Sequence, residues 1–256
     1  SSCRRWMMSS GSVIRSITQV GTSEPFELQV ARGQIPGHRF VHRQGRVPQM
    51  SNNTTGTVWD VNDTLYPWSA WDTAGTITIT RADAADADKN VIVSGLDADY
   101  NPVSTTITLT NASGNTSSTV FKRLDLVRMN GTSTNVGDIT VLKGATTVGK
   151  INAGVGQSLK GTYTVPAGFT AYLTQGVMTI QNGADGSGAF YYRVPGDRFL
   201  IGHTFEVASA EYHYGFTCPF ALPEKSDIDV RVAVRTNNAL VTAAYDMILI
   251  KNQGGL

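Results

Sequence analysis

The feature that most constrains this fold is a two-residue alternation of apolar and polar side chains, repeated in short segments from Gly75 to Ile250. A period of two places alternate side chains on opposite faces of an extended chain, the pattern of a half-buried strand. Thr76-Ile77-Thr78-Ile79-Thr80 is the cleanest case, with Ile77 and Ile79 on one face. The alternation predicts strands over 75–81, 91–96, 104–110, 120–129, 138–142, 146–151, 161–165, 169–181, 189–194, 203–208, 227–235 and 239–250. Gly176 predicts a bulge or bend within its segment. Thr236-Asn237-Asn238 predicts a hairpin joining the last two, because Asn tolerates the positive φ of a tight turn. Helical period is almost absent, and no fixed-period repeat points to a propeller or solenoid. The class expected is all-β, a jelly-roll or Greek-key β-sandwich with an extended N-terminal arm.

The arm follows from charge. Residues 1–50 hold seven arginines and two glutamates, a balance of +5, whereas the remainder holds 14 basic and 18 acidic side chains, a balance of −4. This divides the chain into a basic extended arm over 1–50 and a β-sandwich body over 51–256, with a polar hinge at 51–56. The arm's strand candidate is Phe26–Arg32, where Phe26, Leu28 and Val30 alternate with Glu27, Gln29 and Ala31. Turn signals follow at Gly33, Pro36-Gly37, Gly45 and Pro48. With no hairpin partner nearby, such a strand pairs with something distant, including another subunit. Phe26, Leu28, Val30, Arg32, Arg39, Arg43 and Arg46 are therefore the candidate partner-binding residues. The arginines around Phe40 suit acidic protein neighbours better than nucleic acid, since the arm is short and its charge modest. Deleting 9–50 is expected to leave a folded body that fails to assemble.

Four aromatics crowd one stretch: Trp59, Tyr66, Trp68 and Trp71. They are either core anchors or a stacking platform for sugars or bases, with core packing the commoner use. His38, His42, His203 and His213 have no third ligand at metal spacing, so no metal is expected. The runs 86–90 and 97–101 resemble the start of a calcium loop but lack its sixth-position Gly and distal Glu, and read as Asp/Asn turns. No nucleophile elbow, phosphate loop or dinucleotide fingerprint occurs, so no enzymatic activity and no cofactor are expected. Cys3 and Cys218 read as two unpaired thiols. No stretch approaches the apolar length that spans a bilayer, and Arg4-Arg5 precede no apolar run of a secretory signal.

Several strings together resemble a family of virion structural proteins of tailed bacteriophages, especially those of cyanobacteria: Phe26–Ile35, Thr57–Asp60, Leu65–Trp68, Tyr163–Gly168 with Ala171–Leu173, and Leu222–Ile228. The resemblance extends from about Ser9 onward. It implies a non-enzymatic virion component on the head, neck or tail, with a β-sandwich body. The partners implied are copies of itself and other virion proteins (capsid, portal or neck, tail). The alternative is a receptor- or glycan-binding tip of a phage fibre, with the tryptophans exposed.

Overall fold

The computed structural model describes residues 24–181, 184–208 and 211–253. The chain is all-β, with antiparallel pairing between its strands. Among the described residues, helix α1 (Phe26–Ala31) precedes β1 (His38–Met50) and β2 (Thr55–Thr57). Seven strands follow: β3 (Thr78–Arg81), β4 (Asn90–Leu96), β5 (Pro102–Thr108), β6 (Asn115–Thr116), β7 (Arg123–Met129), β8 (Ile139–Lys143) and β9 (Thr146–Ile151). Seven more complete the chain: β10 (Thr162–Thr164), β11 (Phe169–Ile180), β12 (Asp185–Arg193), β13 (Leu200–Ala208), β14 (Glu211–Leu222), β15 (Asp227–Val234) and β16 (Ala239–Lys251).

These strands enclose two cores. The first lies between a sheet ordered β1-β16-β11-β14 and a sheet ordered β10-β15-β12-β13, in which β2 also pairs with β15. Met50, Leu173, Ile180, Val241 and Met247 from one sheet meet Phe190, Phe205, Ile228 and Val232 from the other. The second core lies between β6-β3-β8-β9 and β5-β4-β7. There Ile79, Val141 and Val148 meet Val91, Val93, Ile107 and Val127. The second sandwich is inserted in the first, since all its strands fall between β2 and β10. Both of those short strands line one edge of β15, at Arg231–Ala233 and Asp227–Asp229 respectively.

Three local expectations are corrected. Phe26–Arg32 is not a strand: Phe26–Ala31 is helical. Pro25 stands at its start, Glu27 places negative charge in the first turn, and Gly33, at φ +69°, ends it in the left-handed region. Val30 and Gln29 are both buried, which no two-residue period allows. Residues 38–50 are not part of an extended arm. They form β1, paired with β16 from His38↔Ile250 to Val47↔Val241. Pro48, which has no N–H to give, falls in the register break before Met50↔Ala239. Deleting 9–50 would therefore remove a strand of the first core. Finally, β15 and β16 are not a hairpin. The turn holding Asn238, at φ 60°, carries the chain from one sheet to the other, so each strand covers the first core from its own side.

The register of β11 shifts between Leu173 and Gln175, beside the bulge or bend expected at Gly176. The acidic turns are structural: Asp86 accepts from the Val136 and Gly137 amides and Lys89, each at 2.8 Å. Asp97 Oδ1 accepts from the Asp99 and Asn101 amides at 2.9 Å.

Candidate functional site

The polar chemistry of the molecule concentrates in the seam between the two sandwiches. One wall is the outer face of β15, where Asp227, Asp229 and Arg231 alternate with the core-facing Ile228, Val230 and Val232. The other wall is β7. Its register breaks between Ser94↔Leu126 and Gly95↔Leu124, leaving Asp125 as the extra residue of a bulge. A bulge re-aims a side chain, and Asp125 here meets Arg43 of β1.

Two carboxylates on β15 organise the larger cluster. Arg123 grips Asp227 with Nε on Oδ1 at 2.8 Å and a second nitrogen on Oδ2 at 2.9 Å. Arg193 adds donors to Oδ2 at 2.5 and 3.1 Å, and Thr164 Oγ1 donates to Oδ1 at 2.6 Å. Asp229 accepts from Thr57 Oγ1, Trp68 Nε1 and Arg231 Nε at 2.8 to 3.0 Å. Arg193 and Arg231 stand 4.6 and 4.5 Å from the centre of the Phe199 ring. Such planar, doubly hydrogen-bonded pairs are the arrangement that makes buried charge tolerable.

A second cluster surrounds Arg43, which donates to Asp125 Oδ2 at 2.5 Å and stacks 4.6 Å from the Tyr163 ring centre. Arg43 Nε and Asp125 Oδ1 are buried without a hydrogen-bond partner. Next to them Lys160 donates to the Leu124 carbonyl and lies 4.8 Å from the Tyr66 ring. Burial drives the Lys160 pKa down to about 7, with Asp125 and Asp60 opposing. Burial likewise drives Asp60 up to about 7, against the amide hydrogen bond from Leu159.

The four aromatics read as a possible recognition platform are buried in the second core and the seam. Their polar edges are spoken for: Trp59 Nε1 donates to the Thr64 carbonyl at 3.0 Å and Trp71 Nε1 to Tyr66 Oη at 2.8 Å. Trp68 Nε1 is the donor to Asp229 already described. A stacking platform needs an open ring face, and these rings have none to offer.

The candidate arm residues scatter. Phe26 and Leu28 are 46% and 47% exposed on α1, and Val30 is buried. Phe26 meets the His38 ring edge-on at 5.8 Å, and Arg32 pairs with Glu24. Arg39 stacks on Phe169 at 4.8 Å, Arg43 is in the seam, and Arg46 is half-buried on β1. Asp125, Asp227, Asp229, Arg123 and Arg193 carry the seam and were not singled out in the sequence. Cys218 is free and exposed, while Cys3 lies outside the described residues. No group of three metal-ligating side chains occurs among the described residues, and no described helix is long and apolar enough to cross a membrane.

No family model matches the chain, and no curated protein sequence matches it. Among solved structures, it is similar to a chain of the infectious bursal disease virus Gt strain, at 9% identity over 91% of this chain and 84% of that one, TM-score 0.18. For the Gx strain of the same virus the values are 8%, 85%, 73% and 0.18. For T=1 particles derived from the virus they are 10%, 90%, 80% and 0.15. At these identities and scores the likenesses carry no argument for fold or function.

Proposed function

We propose that this chain is a non-enzymatic structural component of a tailed-bacteriophage particle, placed as head decoration, neck or collar, or tail-associated protein. It works there as a homo-oligomer, and the segment ending at α1 is its docking arm. The observation that carries the reading is strand order. β1-β16-β11-β14 facing β2/β10-β15-β12-β13 fits an eight-stranded jelly roll whose second strand is interrupted by an insertion. Jelly rolls recur in viral shells, and fold alone does not fix function. The phage-like strings of the sequence add the second support. The two carboxylates of β15 add a third, since arginines hold both Asp227 and Asp229 and every one of their oxygens already accepts a hydrogen bond. Exposed Phe26 and Leu28 give the arm an apolar docking end.

The test is incorporation. A variant lacking 9–36 keeps β1 and its partner strand, and is expected to fold yet be missing from purified particles. Normal incorporation of that variant would sink the docking reading.

A second reading, a receptor- or glycan-binding tip, is favoured by one feature. A trough of about 440 Å³ on the outer face of β12, β13 and β15 is lined by Tyr191, Ile201, Glu206 and Arg231. Sugar-dependent chemical-shift changes confined to this trough, lost in Tyr191→Ala, would support it.

A further inference from the structure

The edges of the sheets are not equally protected. Exposed strand edges invite pairing with another chain, and proteins blunt them with charge, proline, bulges or shortness. β1 carries Arg39, Arg43, Arg46 and Pro48, and a register break. β14 carries Glu211, His213 and Pro219, and an irregularity opposite Leu173/Gln175. β13 carries His203 and Glu206 and a break opposite Phe190/Tyr191. β7 and β9 carry charges and breaks of their own. β2, β6 and β10 are two or three residues long.

Past its first residue, Pro102, β5 has none of these guards. It pairs with β4 from Leu96↔Pro102 to Asn90↔Thr108 without a break, and its other side is hydrogen-bonded to no strand, β6 standing across a groove from it. From Val103 to Thr110 the sequence Val-Ser-Thr-Thr-Ile-Thr-Leu-Thr holds no charge, and Pro102 stands only at the strand's first position. Along the free edge runs a groove of about 540 Å³ whose lining, including Thr105, Thr106, Thr108, Asn111 and Asn115, is uncharged throughout.

We propose that the free edge of β5 is a self-association surface, on which two copies of this chain pair β5 with β5 antiparallel across a two-fold axis. An uncharged strand is its own electrostatic match, because no like charges meet under a two-fold. The side chains select the register. With Thr105 opposite Thr105 of the partner subunit, Val103 faces Ile107 of the partner subunit on the inner side. Ser104 then faces Thr106 of the partner subunit on the outer side. Apolar pairs with apolar and hydroxyl with hydroxyl, the pairings that stabilise antiparallel strands. The half-buried Val103 and buried Ile107 lie on the core-facing side of β5, whereas Ser104 and Thr106 are exposed. The product is a continuous sheet of six strands running through both inserted sandwiches. One seven-residue edge is a small interface, so the free dimer is weak and is reinforced when copies are held side by side. This surface is separate from the arm, and it is tested without particles.

Sedimentation of the full chain is expected to show reversible dimerisation by about 500 µM, within the range of small interfaces. Thr105→Lys sets two ammonium groups opposite each other and should weaken dimerisation about tenfold or more, with an unchanged circular dichroism spectrum. Thr217→Lys, at an exposed position of β14, should leave it unaltered. In a Cys3→Ser, Cys218→Ser background, Thr105→Cys should form a disulfide-linked dimer under mild oxidation, because directly opposed positions lie within disulfide reach. Thr108→Cys should not, since its counterpart is Pro102. A chain that stays monomeric leaves the edge to a different partner and overturns the proposal. So does a Thr105→Lys variant that dimerises normally, or equal cross-linking at 105 and 108.

Discussion

Arg123 and Asp227, on strands of different sandwiches, face each other as a fork on a fork, with two parallel hydrogen bonds of 2.8 and 2.9 Å. Asp227 sits on β15, whose other face lines the first core, and Arg123 opens β7 of the second. Both side chains are almost fully buried. Losing one partner leaves the other charge in a place water does not reach. Arg123→Ala is therefore expected to lower stability by about 3–5 kcal/mol, measured by urea unfolding. Thr164→Val removes a single donor to Asp227 and should cost only about 1–3 kcal/mol. A smaller loss in Arg123→Ala than in Thr164→Val would refute this ranking.

The Arg43–Asp125 pair should behave differently. It is held by a single hydrogen bond, and it leaves Arg43 Nε and Asp125 Oδ1 buried and unpaired. Asp125→Ala strands the guanidinium and Arg43→Met strands the carboxylate. The double variant strands neither. Urea midpoints for the four proteins should place the double variant above the sum of the two losses, with a coupling of about 0.5–3 kcal/mol.

Asp60 and Lys160 give opposite pH limbs. Folded Asp60 keeps its proton up to about 7, while the unfolded chain loses it near its ordinary value of 3.8. Between those limits the folded state binds more protons, so stability falls as pH rises. Folded Lys160 gives up its proton at about 7, while the unfolded chain holds it to 10.5. There the unfolded state binds more protons, so stability rises with pH. The contribution of the two groups is therefore lowest near neutrality. Asp60→Asn should flatten the acid limb and Lys160→Met the alkaline one, read as urea midpoints across the pH range.

Gly45 on β1 passes against the backbone of the segments that enter and leave the insertion. A Cβ there would overlap the Val58 carbonyl oxygen and the Gly161 nitrogen, which are backbone and have no rotamer to change. Gly45→Ala should destabilise by about 3 kcal/mol or lead to a protein that does not fold. Gly33→Ala, in the turn after α1, meets no atom and is strained only through its φ of +69°, at about 1 kcal/mol. Thermal melts of both variants separate these two causes.

In a Trp6→Phe background, the buried Trp59, Trp68 and Trp71 should emit at short wavelength and resist iodide quenching. Emission that reddens and quenches in the native protein would place those rings at the surface.

The strand pattern was legible where one face of a strand is apolar and the other wet. β9 falls at the expected Thr146–Ile151, and β4, β11 and β16 lie within a residue or so of their alternations. β1 was not legible, because its inward face carries Arg43 and Gly45 between Val41 and Val47. An ion pair and a close backbone approach bury that face without apolar side chains. β14 was obscured by Gly215 and Pro219. The six residues of α1 hold too few turns for a period to decide. The seam was hidden for a more general reason. In β15 the acids at 227 and 229 alternate with Ile228 and Val230, the pattern of a strand with a solvent-facing side. Only tertiary contact with Trp68, Phe199 and Arg123 makes that side an interior one.

The insertion leaves and rejoins the first sandwich at a single point. Gly161 N donates to the Val58 carbonyl at 2.8 Å, and Val58 N donates to the Val230 carbonyl at the same length. By chain path alone, residues 59–160 could be excised and the gap closed with a short turn. Chemistry forbids so clean a cut. Excision would leave Asp227 without Arg123 and Asp229 without Trp68, on a face suddenly open to water. The two sandwiches are thus divisible as architecture and indivisible as a folding unit. A loss of structure in one exposes the acids on which the other's packing depends, so both cores should melt in one transition.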